Sequence, residues 1–199
     1  MTQVAAVRTP CSDQELEASL SWAFTQLTGF APSDATLAIL CAHVALETAH
    51  MASMVCFNPG NYKRGPGPDY CTFQTFEYVG NPPVKTTVMA EFSAWPDFNS
   101  AFAFYVGAFS KHWPEAWAGA LAGDADAFCA GLKARGYYSA PEQIYLAGVK
   151  RWQAYYSQHL SGDSSVTQPD LSDLGPSSPA VLPEEATTAP SMRGLPRQP

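Results

Sequence analysis

The chain has 199 residues and a mass of 21.4 kDa, enough for one domain with a single core and too little for two. Hydrophobic residues make up 46% of the chain and charged residues only 15%, a composition that excludes disorder along its whole length. Eleven basic and eighteen acidic side chains give a formal net charge of −7, which argues against nucleic acids and anionic membranes as partners.

The first part of the chain predicts two helices. Ser12 and Glu15 form a capping box ahead of apolar residues at helical spacing, and Gly29 ends this first helix. The second helix starts at Ser33. Its apolar residues recur every three or four positions, which predicts that it continues to about His50 with one face buried.

A change to strand-like composition follows. Residues 72–79 and 84–92 are rich in aromatic and β-branched residues, and the turn-forming segment 80–83 separates them, so they predict a β-hairpin. Helical patterns resume over residues 98–109, 124–135 and 141–159. Five or six helices around one hairpin predict a mainly helical α+β fold, in which the hairpin forms a separate lobe beside a cleft suited to a long ligand.

The two ends of the chain differ from its middle. Residues 161–199 are rich in Pro, Ser and Thr and lack aromatic residues, so we expect a domain over 1–160 and a tail over 161–199. The tail is either a solvated, disordered segment or an extended segment that docks on a protein partner. The first twenty residues lack the pattern of a signal peptide, and no stretch is apolar enough to span a membrane. We therefore expect a holin, a secretion apparatus or a phage particle to deliver the protein to any target outside the cytoplasm.

The cysteines and histidines show none of the spacings typical of zinc sites, so neither a metal nor a cofactor is predicted. Cys56 and Cys71 are the one pair that could form a disulfide bond, whereas Cys41 and Cys129 are expected to be buried free thiols. Motifs of metalloproteases, α/β-hydrolases and nucleotide-binding proteins are absent, and the four histidines are assigned structural roles.

Glu47, in the segment ALETAH near the end of the second helix, is the leading candidate for a catalytic acid. Its neighbours Ala45 and Leu46, with Met51 and Met54 beyond them, would desolvate its charged form and raise its pKa, as a general acid near neutral pH requires. The alternative is a solvated glutamate on the polar face of an amphipathic helix.

The loop after this helix, CFNPGNYKRG, is rich in groups that bind polar ligands. Asn58, Asn61 and Tyr62 offer amide and hydroxyl groups for sugar hydroxyls and an aromatic ring for stacking, and are predicted to bind substrate. The alternative is a turn rich in Asn and Gly for backbone reasons alone.

A second carboxylate is predicted on the first strand of the hairpin. Strand alternation places Glu77 on the face opposite Phe76 and Tyr78, where it could face the cleft. Together, Glu47 and Glu77 would give the carboxylate pair of a glycosidase. Their separation, and therefore retention or inversion of configuration, stays open, with Asp69 and Glu91 as rival second acids.

Four motifs, in this order, resemble those of glycoside hydrolase family 73, the bacterial glucosaminidases. The resemblance spans roughly residues 12–156 and is carried by ALETAH, CFNPGNYK, the segment from TFEYVGNPP to AFAFYV, and LKARGYYSAPEQIY. The family's counterparts are an ALE(S/T) helix end, an FN-x-x-G-x-K loop, a TxEY strand before a hairpin and a GYATDPxY segment. The resemblance implies a lysozyme-like fold and cleavage of β-1,4 bonds of peptidoglycan next to N-acetylglucosamine.

The same resemblance assigns roles to individual residues. Glu47 matches the family's catalytic acid, and Glu77 matches the acidic residue of the TxEY strand, with Tyr78 beside it as a substrate-binding residue. Tyr137 matches the Tyr of GYATDP and is expected to take part in catalysis. Tyr145 matches the following Tyr and is expected to bind substrate.

The chain also departs from the family pattern. Ala49 and His50 stand where the family prefers Gly and an aromatic residue, and Ser139 and Ala140 replace Thr-Asp. These departures leave open a muramidase, a related lytic activity or a degenerate module that only binds glycan. The lack of a signal peptide and the Pro-rich tail suggest a further alternative, a wall-degrading structural component of a phage particle or secretion apparatus that its tail anchors. Peptidoglycan is the expected partner in each case.

Overall fold

A computed structural model of the chain describes residues 1–79, 84–138, 140–163 and 165–172, with the backbone alone at 76–79 and 84–85. These residues form six helices and one two-stranded antiparallel sheet, so the predicted mainly helical α+β fold is confirmed. The elements are α1 (Asp13–Thr28), α2 (Asp34–Glu47), β1 (Asp69–Val79), β2 (Val84–Ala94), α3 (Phe98–His112), α4 (Pro114–Ala122), α5 (Ala125–Ala134) and α6 (Glu142–Leu160).

The ends of the first helix follow the local sequence signals. The Ser12 hydroxyl accepts a hydrogen bond from the Glu15 amide, the Glu15 carboxylate accepts one from the Ser12 amide, and α1 ends at Gly29 with a left-handed φ of 79°. Helix α2 begins after Ser33 as predicted but stops at Glu47, short of His50. Helix α4, which begins with Pro114, was not predicted.

Helix α2 is the centre of the core. Every residue from Thr36 to Glu47 is buried, so the prediction of a single buried face is wrong: neighbouring elements cover this helix all round. Helix α6 packs along it, and α1 and α4 cover other parts of its surface. The core therefore fixes α2, and with it the position of Glu47 at its carboxyl end.

The predicted hairpin is confirmed and is longer than expected. Asp69 pairs with Ala94 at one end of the sheet and Val79 pairs with Val84 at the other, while the turn 80–83 lies outside the described residues. At its base, the Phe73 ring stacks on Phe92 with 4.2 Å between centroids. This base is part of a small hydrophobic cluster that also contains Val55, Cys56, Cys71 and Ala94.

The cysteines carry no disulfide bond. Cys56 and Cys71 lie together in the cluster at the hairpin base, and their thiols are hydrogen-bonded as free groups. Burial, together with this hydrogen bond, raises the pKa of Cys71 to about 12. Cys41 and Cys129 are buried in the helical core, as predicted.

The amino-terminal residues tie the hairpin to the helices. The Val4 amide donates to the Tyr70 carbonyl over 2.8 Å, and the Tyr70 amide donates to the Thr2 carbonyl over 3.1 Å. Further along, the Cys56 amide donates to the Val7 carbonyl over 2.8 Å. One extended segment thus bonds both β1 and the loop after α2.

Part of the predicted tail contacts the domain. Val166 and Leu171 pack against the core cluster, and the Arg151 guanidinium donates to the Asp170 carbonyl over 2.7 Å. Residues 173–199 lie outside the described residues, so the predicted docking segment keeps its status as a prediction. None of the described helices is long and apolar enough to cross a membrane.

Asp13, at the start of α1, joins three parts of the domain. Its carboxylate accepts hydrogen bonds from His50 at 2.8 Å, Tyr155 at 2.7 Å and Tyr156 at 2.6 Å. Burial alone would raise the pKa of Asp13, but the hydrogen bonds from His50 and the two tyrosines lower it to about 2. The carboxylate thereby links α1 to the end of α6 and to the turn that follows Glu47.

We expect Asp13→Asn to lower the free energy of unfolding by about 1–3 kcal/mol at pH 7, since it weakens hydrogen bonds to a charged acceptor. The folded state keeps Asp13 ionised down to a pH near its pKa of about 2, whereas the unfolded chain binds the proton at about pH 4. The stabilisation is therefore complete above about pH 4 and is lost as the pH falls through about 2. Urea unfolding at several pH values measures it.

The control for this prediction is Asp34→Asn, because Asp34 is an exposed aspartate in the first turn of α2. It reports the interaction of the charge with the helix dipole without the three hydrogen bonds. Equal losses of stability in the two variants would contradict the role of Asp13.

Candidate active site

The chain leaves α2 through a turn of left-handed backbone directly after Glu47. Ala49, His50 and Met51 have φ values of 48°, 53° and 62°, a conformation that costs about 1 kcal/mol or more for each residue with a Cβ. The Thr48 hydroxyl donates to the Val44 carbonyl over 2.6 Å and accepts from the Met51 amide over 3.0 Å. This turn is the reason why α2 ends earlier than its apolar pattern predicts.

Ala49 stands where family 73 prefers Gly, and its positive φ makes the substitution Ala49→Gly informative. Ala49 is exposed, so the change removes no packing, and we expect it to raise the free energy of unfolding by about 1 kcal/mol. Ala52 is exposed in the same turn without a positive φ, so Ala52→Gly should lower stability by about 0.5–1 kcal/mol. Urea unfolding compares the two, and destabilisation by both would contradict this reading of the turn.

Glu47 is almost completely enclosed. Its side chain is 3% exposed, and the Tyr145 hydroxyl, on α6, donates to its Oε1 over 2.6 Å. Burial and the nearby carboxylate raise the pKa of Tyr145 well above its usual range, so this hydroxyl stays a donor. Glu47 is therefore not the solvated glutamate of the alternative interpretation.

His43 lies one helical turn before Glu47 and faces the same carboxylate. Its Nε2 is 3.9 Å from Glu47 Oε1, and its Nδ1 is 2.7 Å from the Tyr105 hydroxyl on α3. Complete burial lowers the pKa of His43 to about 3, so the imidazole is neutral. The ring of Tyr137 meets that of His43 at 5.0 Å between centroids.

Two more tyrosine hydroxyls point into this buried region. Within the described part of the chain, the hydroxyls of Tyr62 and Tyr137 have no hydrogen-bond partner. Burial and then the charge of Glu47 raise the pKa of both tyrosines. We call the set of buried polar side chains around Glu47 the acid cluster; it comprises Glu47, His43, Tyr62, Tyr105, Tyr137 and Tyr145.

The two asparagines of the loop make hydrogen bonds within the protein. Asn58 is 2% exposed, and its amide bonds the backbone of Tyr62 and the Ser93 carbonyl at 2.9–3.1 Å. The Asn61 amide donates to the Glu47 carbonyl over 2.6 Å and so caps the carboxyl end of α2. These hydrogen bonds fit the alternative interpretation, a loop rich in Asn for backbone reasons, while contacts of the two residues with substrate stay predictions.

Tyr62 and Tyr145, both predicted to bind substrate, lie inside the acid cluster. Tyr62 is 2% exposed, and its ring packs against Trp95 and Phe104, so it offers no face on which a sugar could stack. Tyr145 is buried with its hydroxyl on Glu47. Both residues contribute to the environment of the acid, and their contact with substrate stays a prediction.

Of the predicted second acid, the structure describes only the backbone. Glu77 pairs with Thr86, and Tyr78 pairs with Lys85, in the half of the hairpin distant from its base. The side chains of Glu77 and Tyr78 lie outside the described residues, so their roles stay predictions. The rival candidates have other partners: Asp69 accepts from the Thr2 amide over 2.7 Å, and Glu91 pairs with Arg64 over 2.8 Å.

Sequence reasoning did not place His43 or Tyr105 beside Glu47. All histidines were assigned structural roles, although His43 precedes Glu47 by four residues and must share its helical face. That spacing was the available signal for His43. No local signal points to Tyr105, because it reaches His43 across 62 positions of the sequence.

Similarity to known proteins is found in the structure and not in the sequence. No family model matches the chain, and no curated protein sequence matches it. Among solved structures, the catalytic domain of the autolysin Auto from Listeria monocytogenes is similar, with a TM-score of 0.53 and 18% identity, over 75% of this chain and 87% of that domain. A peptidoglycan hydrolase mutant from Sphingomonas sp. A1 has a TM-score of 0.52 and 22% identity, over 73% of this chain and 99% of that one.

These similarities define the fold of the chain as the mainly helical, lysozyme-like fold of peptidoglycan hydrolases. This confirms the lysozyme-like fold that the resemblance to glycoside hydrolase family 73 implied. At identities of 18% and 22% the comparison establishes the fold, and the chemistry has to be argued from the site.

Proposed function

We propose that this chain is a peptidoglycan hydrolase that cleaves β-1,4 glycosidic bonds as an endo-N-acetylglucosaminidase. The observation that carries the proposal is a buried carboxylate, Glu47, at the end of the central helix of a hydrolase fold, with a tyrosine donor 2.6 Å from one of its oxygens. A carboxyl group in such surroundings suits a general acid.

In this mechanism Glu47 protonates the glycosidic oxygen of the leaving sugar as the bond to the anomeric carbon breaks. Tyr145 fixes the orientation of its carboxyl group. Glu77, on the hairpin, either activates the attacking water or stabilises the oxocarbenium-like transition state, and the acetamide of the substrate is the alternative assistant. We expect loss of Glu77 to reduce activity less than loss of Glu47.

Mass spectrometry of the sugars released from purified peptidoglycan, after reduction of the new ends, tests the proposal. Reducing N-acetylglucosamine ends would support a glucosaminidase, whereas reducing N-acetylmuramic acid ends would make the chain a muramidase. Binding of glycan without any product would overturn the hydrolase proposal in favour of a glycan-binding module.

The tail supports a proposal about context, namely that the hydrolase is a wall-degrading component of a phage particle or secretion apparatus. Because Val166, Asp170 and Leu171 contact the domain, a deletion should begin at residue 173 so that it leaves these contacts in place. If a truncated chain over 1–172 still cleaves glycan but no longer joins the assembly, the anchoring role is supported. Unchanged assembly would show that role to be wrong.

A further inference from the structure

The acid cluster contains one buried nitrogen that the proposed mechanism does not use. Among the described residues, His43 Nε2 has no hydrogen-bond partner, although it is completely buried and 3.9 Å from Glu47 Oε1. A buried polar atom without a partner is costly unless it serves another purpose. The hydrogen bond at the other ring nitrogen of His43, Nδ1, indicates what this purpose is.

The Tyr105 hydroxyl determines which nitrogen of His43 carries the proton. It lies 2.7 Å from Nδ1, and no other acceptor for its proton is present among the described residues. If Nδ1 carried the proton, the Tyr105 proton would lack an acceptor and the lone pair of Nε2 would face a carboxylate oxygen. With the proton on Nε2, Tyr105 donates to Nδ1 and an N–H group faces Glu47.

We propose that His43, held as the Nε2–H tautomer by Tyr105, is a positioning residue that favours the ionised form of the Glu47 carboxyl group. The Tyr145 hydroxyl donates to Oε1, and the N–H dipole of His43, with Nε2 3.9 Å from the same oxygen, acts on it electrostatically, so both groups favour negative charge there. This inference rests on the proposed function of Glu47 as the acid.

A pH effect follows from the charges in the cluster. The tyrosines that face Glu47 come from the loop after α2 (Tyr62), from α3 (Tyr105), from the segment before α6 (Tyr137) and from α6 (Tyr145). Burial raises the pKa of each of them, and burial lowers the pKa of His43 to about 3. His43 and the tyrosines are therefore neutral around neutral pH, and a change of charge in the cluster there is a change of charge on Glu47. A donor that favours its ionised form shifts its titration to lower pH.

The direct test is NMR of the full chain labelled with ¹³C and ¹⁵N. The ring nitrogens of His43 should show the Nε2–H tautomer in the wild type, and the Nδ1–H tautomer would overturn the proposal. The carboxyl carbon of Glu47 should titrate at higher pH in His43→Leu and in Tyr105→Phe, by about half a pH unit or more. Unchanged titration midpoints in folded variants would also overturn the proposal.

Two further variants, together with Tyr105→Phe, make the outcome specific. His43→Gln retains an N–H donor and should return the midpoint towards the wild-type value, which a purely structural role would not do. Tyr105→Phe keeps the buried imidazole and so carries the test if His43→Leu does not fold. Tyr156→Phe removes a buried hydroxyl that bonds Asp13 over 2.6 Å, and it should leave the Glu47 titration unchanged.

Kinetics provide the link to the reaction. A general acid is active in its protonated form, so the basic limb of the pH–rate profile should move to higher pH in Tyr105→Phe by the same amount as the NMR midpoint. The NMR measurements need no activity. If the wild type shows the expected tautomer and titration but cleaves no glycan, the proposed function is wrong while the geometry of the cluster stands.

Discussion

Replacing Glu47 with Gln is expected to lower the rate of glycan cleavage by about 10²–10⁴-fold, the range that general acid catalysis contributes. Gln has nearly the same shape, and its carbonyl oxygen can still accept the Tyr145 hydroxyl, which lies 2.6 Å from Oε1 in the wild type. It cannot release a proton to the leaving sugar oxygen. The rate at which soluble fragments appear from purified peptidoglycan measures the effect.

The result depends on a folded variant and on a matched control. The Glu47 side chain is 3% exposed, so a change there could disturb folding. Thermal unfolding and circular dichroism should therefore be used to check that Glu47→Gln folds. Glu142→Gln makes the same chemical change at an exposed position in the first turn of α6 and should leave the rate unchanged. Full activity of a folded Glu47→Gln would show that Glu47 is not the acid.

The elements of the fold could be predicted because their limits are set by neighbouring residues. Ser12 and Glu15 bond each other's backbone groups, and Gly29 takes a conformation that other residues avoid, so the limits of α1 are visible in the sequence. The hairpin likewise follows from two strand-like segments around a turn. The early end of α2 could not be predicted, since Ala49 and its neighbours take left-handed backbone that their residue types disfavour.

In the candidate site, the feature that could be predicted from neighbouring residues is the burial of Glu47. The apolar end of α2 predicted that Glu47 is buried, which the structure bears out, while its selection as the acid also relied on the resemblance to family 73 and stays a proposal. The roles of Asn58 and Asn61 depend on partners that the fold supplies, a strand carbonyl 35 positions away in one case and the end of α2 in the other. An amide looks the same in a sequence whether it holds a loop or binds a sugar, so this distinction required the structure.

Tyr145 offers the sharpest distinction between binding substrate and positioning the acid. The resemblance to family 73 predicted that it binds substrate, whereas the structure buries it with its hydroxyl 2.6 Å from Glu47 Oε1 and its ring stacked at 3.7 Å on Tyr138. A residue that contacts substrate would raise KM when altered. A residue that orients the acid would lower kcat and leave KM nearly unchanged.

We expect Tyr145→Phe to lower kcat by about 10–100-fold with little change in KM, because it removes a hydrogen bond to a charged group worth about 1.5–3 kcal/mol and keeps the ring in place. Tyr138→Phe is the matched control, since it removes a buried hydroxyl that donates to the Cys129 carbonyl over 3.1 Å and leaves the donor to Glu47 intact. Steady-state kinetics on soluble glycan fragments separate the two constants. A raised KM with unchanged kcat in Tyr145→Phe would support the predicted contact with substrate. Equal losses of kcat in Tyr145→Phe and Tyr138→Phe would show that the effect comes from altered packing.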